Sequence, residues 1–105
     1  MQSKVLIIRN ALTQLEGQIQ TSPLSAEVKS STLASVRGVD VELILNLSER
    51  ATTPLTSANL LYVICFLAGV GTQSIASIFH VEPATVYTVR YRLRARFNKI
   101  GVSPF

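Results

Sequence analysis

The side chains in this chain best suited to polar chemistry crowd into one segment near its C-terminal end. Pro83-Ala84-Thr85-Val86-Tyr87-Thr88-Val89-Arg90-Tyr91-Arg92-Leu93-Arg94-Ala95-Arg96-Phe97 carries four arginines, two tyrosines and two threonines, and no acid. Proline suits a first helical position, because its missing N–H would be unpaired there anyway. At about 100° per residue, Val86, Val89, Leu93, Phe97 and Ile100 fall on one stripe roughly 80° wide. The opposite face holds Ala84, Tyr87, Thr88, Tyr91 and Ala95. Arg90 and Arg94 flank that face on one side, and Arg92 and Lys99 on the other. Slim polar groups with cations beside them suit the major groove of a duplex, where base edges carry sequence and phosphates carry charge. A solvated basic face on an ordinary surface helix has the same composition, so the rest of the chain must decide.

Other chemistry has little to work with. Cys65 sits among Val63, Ile64, Phe66 and Leu67, as a buried structural thiol does. His80 is the only histidine and falls where a turn is expected. One cysteine, one histidine and scattered carboxylates predict no metal site. The six acids show no pairing for acid–base work, and Gly69-Val70-Gly71 lacks the lysine and preceding strand of a phosphate loop. The reading is a protein without a catalytic residue, an enzymatic activity or a cofactor.

Length and charge narrow the class. The 105 residues suffice for one small domain or two helical subdomains sharing a core. Apolar residues make up 48% and charged residues 15%, which argues against disorder. No apolar run reaches the roughly 18–20 residues of a membrane span. Val5-Leu6-Ile7-Ile8, stopped at once by Arg9, is too short for a signal-peptide core. A lone cysteine makes no internal disulfide, so a reducing, cytoplasmic setting is expected.

The net charge of +4 is unevenly placed. Within residues 1–54, Lys4, Arg9, Lys29, Arg37 and Arg50 balance Glu16, Glu27, Asp40, Glu42 and Glu49. Within 55–105, four arginines and Lys99 face Glu82 alone. The excess therefore lies in one helix and its tail, which predicts an anionic partner for that half. A membrane surface fits poorly, because the other face of the helix is a narrow aliphatic stripe without the broad apolar face of an interfacial helix.

The elements that must position this helix read as helical throughout. Across residues 4–20, Val5, Ile8, Leu12, Leu15 and Ile19 keep the alternating three- and four-residue spacing of a coiled-coil seam. That stripe serves either packing onto the rest of the chain or a homodimer seam. Ser22-Pro23 suggests the N-cap and first turn of a weaker helix over 23–37, with Val28 and Val36 inward and Gly38 as its stop. Residues 39–50 alternate apolar and polar as a strand does, yet Val41, Ile44, Leu45 and Ser48 also keep helical spacing. Nothing elsewhere could pair with a lone strand, so a helix is expected. Ala51-Thr52-Thr53-Pro54 is the expected linker between an N-terminal helical scaffold, 1–54, and a second unit, 55–105. There, a helix from about Ser57 to Ala68 is capped by Thr56 or Ser57, and Gly69-Val70-Gly71 forms a turn. Thr72 caps a short helix, Gln73 to Phe79, with Ile75, Ala76 and Phe79 inward. His80-Val81-Glu82 turns into the basic helix, which runs to about Asn98.

A short helix, a tight turn and a longer basic helix form the helix-turn-helix order. Residues from Leu55 to about Ile100 resemble the DNA-binding domain of LuxR/FixJ-type transcription regulators. The resemblance rests on Leu55-Thr56, Gly69, Ile75-Ala76, Val81, Thr85-Val86 and the run Arg90-Tyr91-Arg92-Leu93-Arg94. Sigma-factor region 4 shares the architecture and is the nearest confusable relative. The resemblance implies an all-α, four-helix domain that dimerises and lays its third helix in the major groove of double-stranded DNA. By position it implies base-edge contacts from Tyr87, Thr88 and Tyr91. It implies phosphate contacts from Thr85, Arg90, Arg92, Arg94 and the start of the second helix, Thr72 and Gln73. The family's first helix carries acids and arginine where this chain has Ser57-Ala58-Asn59-Leu60-Leu61-Tyr62-Val63, so this helix is expected to be buried on two sides. The alternative is a degenerate helix-turn-helix used for protein–protein assembly, for instance as an oligomerisation module or an accessory to the transcription machinery.

Overall fold

The computed structural model describes residues 3–51 and 53–105; Met1, Gln2 and Thr52, the last inside the expected linker, lie outside the described residues. Six helices follow in order: α1 (Lys4–Thr21), α2 (Ala26–Arg37), α3 (Val41–Arg50), α4 (Ser57–Leu67), α5 (Thr72–Phe79) and α6 (Pro83–Lys99). No strand occurs among the described residues.

Most boundaries are set by short polar side chains that satisfy the free N–H groups of a first turn. Ser3, Ser25 and Thr56 accept from Leu6, Val28 and Asn59 at 3.1–3.2 Å. Asp40 Oδ1 accepts from both Glu42 and Leu43, at 3.0 and 3.2 Å, and this cap settles residues 41–50 as helix rather than strand. α2 begins later than its Ser-Pro pair suggests. The Ser22 hydroxyl donates back to the Ile19 carbonyl at 2.6 Å and closes α1 rather than opening the next helix. Ser25 takes that role, and Val28 faces solvent while Thr32 and Val36 are the buried positions. Thr72 likewise lies inside α5; Gly71 stands at the cap without a side-chain bond. Gly69, at φ +76°, turns the chain between α4 and α5 in a conformation that a Cβ would strain.

α1 is the organising element. It packs on α2, α3, α4 and α5, while α6 packs on α4 and α5. One apolar core joins Ile8, Leu15 and Ile19 to Ile44, Leu47, Val63, Ile64, Ile75, Ile78, Val86, Leu93 and Phe97. The core thus runs unbroken across the expected boundary between 1–54 and 55–105. The Cα radius of gyration, 13.3 Å, is that of one closely packed body of about 100 residues.

Of the two uses open to the α1 stripe, packing onto the rest of the chain is visible within the single chain. Ile8, Leu15 and Ile19 are fully buried within the single chain, and Leu12 is half-buried. Only Val5 of that stripe remains exposed. α4, almost wholly apolar, is covered in the same way: Leu60, Leu61, Val63, Ile64, Cys65 and Phe66 are all buried, with α1 and α6 packed on it.

Candidate nucleic-acid interface

The basic face is held out by a simple division of α6. Val86, Leu93 and Phe97 are buried, and Val89 and Ile100 half-buried, as their common stripe predicts. Opposite them, Ala84, Tyr87, Thr88, Tyr91 and Ala95 all face solvent. Tyr87 is 62% and Tyr91 76% exposed, so two aromatic rings four residues apart stand together on the outward face. The Thr88 hydroxyl donates to the Ala84 carbonyl at 3.0 Å, so its outward lone pairs are left to accept.

α6 is aimed by the turn before it. His80 takes a left-handed conformation, φ 55° and ψ 46°, and ends α5. The Val81 N–H then reaches back to the Ala76 carbonyl at 3.0 Å. Glu82 is extended, Pro83 opens α6, and the Thr85 N–H donates to the Glu82 carbonyl at 2.9 Å. Three residues thus reverse the chain between two helices that pack closely on each other.

The expected contact residues separate into groups. Thr85, Arg92 and Arg94 are exposed on α6, and Gln73 is exposed at the start of α5 with Thr72 half-buried beside it. Arg90 differs from the other expected phosphate contacts. It is half-buried, and its guanidinium carbon lies 5.4 Å from the Phe66 ring centre and 5.8 Å from that of Phe105. Its place near the apolar stripe, some 60° from the stripe's centre on a helical wheel, draws it over these rings. Arg96 is also diverted, donating to the Thr53 carbonyl at 2.8 Å. Arg50 of α3 donates to the Ile100 carbonyl at 3.0 Å, beside the end of α6.

Sequence reasoning assigned nothing to the tail. Gly101, at φ +80°, turns the chain back after α6, and the Val102 N–H bonds the Phe97 carbonyl at 3.1 Å. Ser103 bonds the Asn98 side chain at 3.1 Å. Phe105 then reaches the core, 5.1 Å from Phe66 and 6.0 Å from Phe97 between ring centres. The available signal was a glycine past a helix end followed by Val102, Pro104 and Phe105, too short a stretch to show a period.

The remaining chemistry is quiet. Burial pushes the Cys65 thiol up to about 12, leaving it protonated and unreactive near neutral pH. Burial also raises Tyr62, with the nearby Cys65 adding to the shift. Among the described residues no His, Cys, Asp or Glu cluster could hold a metal, and no described helix is long and apolar enough to cross a membrane.

No family model, curated protein or solved structure matches the chain.

Proposed function

We propose that the chain binds double-stranded DNA through α5, the turn 80–82 and α6, used as a helix-turn-helix of the kind that the LuxR/FixJ-type resemblance implies. The observation that carries this reading is the outward strip of α6: two highly exposed tyrosines and a threonine beside Arg92 and Arg94, on a helix without an acid. Laid in a major groove, such a strip puts Tyr87, Thr88 and Tyr91 at base edges and its arginines at phosphates. Thr85, Thr72 and Gln73 extend the phosphate contacts. The protein would act as a transcription regulator by binding without catalysis. A two-fold pair would set two such helices about 34 Å apart, matching half-sites one helical turn apart.

Duplex binding measured by fluorescence anisotropy across a salt series tests this. Affinity should fall with a log–log slope of roughly −0.9 per neutralised phosphate. Arg92→Ala and Arg94→Ala should each weaken all duplexes about equally. If both variants bind as the parent does, the assignment is wrong.

A second reading, assembly with another protein, draws on Val5, Leu6 and Ile7, which stand exposed together in the first turns of α1. α4, though almost wholly apolar, adds nothing to it, since the chain covers that helix itself. Light scattering decides between the two: a stable oligomer with no salt-dependent duplex retention would favour assembly.

A further inference from the structure

We propose that Phe105 is a positioning residue for Arg90, and that the two form a preorganised phosphate clamp at the edge of the α6 face. The inference rests on the duplex-binding reading above and adds to it the tail, which no contact of that reading uses. Three observations meet here. Gly101 reverses the chain, and the Val102–Phe97 and Ser103–Asn98 bonds hold the return. Phe105 is thereby set against Phe66 and Phe97, its ring tilted 50° to the first and 87° to the second. The Arg90 guanidinium lies over the Phe66 and Phe105 rings together.

A guanidinium offers two kinds of surface. Its flat faces attract the negative face of an aromatic ring, while its five N–H donors point outward in the plane. A guanidinium held beside rings by this attraction need not spend its N–H donors on them. Among the described residues Arg90 makes no ion pair and no side-chain hydrogen bond, unlike Arg37, Arg50 and Arg96. A free arginine on a helix must lose much side-chain freedom to grip a phosphate; one already seated on rings has lost part of it beforehand. Arg92 and Arg94, exposed and unseated, have no such support. A half-buried arginine can still serve an anionic partner here, because its guanidinium keeps its N–H donors uncommitted among the described residues.

The test compares the parent, Arg90→Ala, Phe105→Leu and the double variant on a fluorescent duplex across a salt series. Leucine keeps apolar bulk under the tail and removes the ring. Circular dichroism and thermal melting confirm that each variant is folded. Phe105→Leu should weaken duplex binding about two- to tenfold, the range expected when one side chain must be ordered on binding instead of beforehand. The double variant should bind no worse than Arg90→Ala alone, because the ring acts only through the arginine. The Arg90 Nε–Hε resonance reports the seat without DNA, and should move in Phe105→Leu as one of its two neighbouring rings is removed. An unchanged Arg90 resonance, additive losses in the double variant, or parent-like binding by Phe105→Leu would each overturn the clamp while leaving duplex binding intact. A parent that binds no duplex at low salt removes the duplex-binding reading itself, and the clamp with it.

Discussion

Tyr91 is the more exposed of the two tyrosines of α6, and Thr88 is its neighbour one turn back. Because the Thr88 hydroxyl spends its proton on the Ala84 carbonyl, the proposed groove contact would use it as an acceptor, matching the amino groups of adenine or cytosine. Tyr91→Ala should therefore change the ranking of duplex sequences in a selection from a random pool, whereas Arg92→Ala and Arg94→Ala should lower all affinities and keep the ranking. A ranking unchanged in Tyr91→Ala would assign the ring to surface covering alone. Cys65 gives a prediction of another kind. Its thiol ionises near 12 in the fold against an ordinary 9.0, so folding favours the protonated form. That stabilisation is whole below about pH 9 and is lost as pH climbs toward 12. Urea midpoints measured between pH 8 and 11 should decline, and should decline less in Cys65→Ala; the raised Tyr62 adds to the same trend.

At the scale of elements, α3 depends on its first residue. Asp40 accepts from two backbone N–H groups that would otherwise be unpaired. Asp40→Ala should cost about 1 kcal/mol, read as a lowered urea midpoint. This cap also shows what can be read from residues alone. The helices at 4–21, 57–67, 72–79 and 83–99 announce themselves through apolar spacing and flanking Thr, Gly or Pro. The 39–50 segment carries two periods at once, and the absence of a partner strand was what pointed to helix. The start of α2 was not legible, because which carbonyl or N–H a serine hydroxyl chooses depends on how the chain bends around it. The outward strip of α6 was legible from its period. The capture of Arg90 by Phe66 and Phe105 was not, because residues 66 and 105 meet only once α4, α6 and the tail are packed.

For the whole molecule, the continuous core predicts one unfolding unit. The three tyrosines, Tyr62, Tyr87 and Tyr91, all lie beyond residue 55, so tyrosine fluorescence reports on that half alone. Leu15→Ala, buried in α1, should nevertheless lower the fluorescence midpoint together with the circular-dichroism midpoint, at a cost of about 2–5 kcal/mol. A fluorescence transition unmoved by Leu15→Ala would mean that the two halves fold separately. The place of α1 also bears on how the protein is made. α1 leaves the ribosome before its partners, yet its contacts reach α4 and α5, which end at Leu67 and Phe79. At about 5–20 residues per second, translation leaves Ile8, Leu15 and Ile19 without those partners for on the order of several seconds. During that interval the nascent helix is a greasy ribbon open to chaperones and to other nascent chains, so synthesis speed between residues 21 and 79 should set the yield of folded protein.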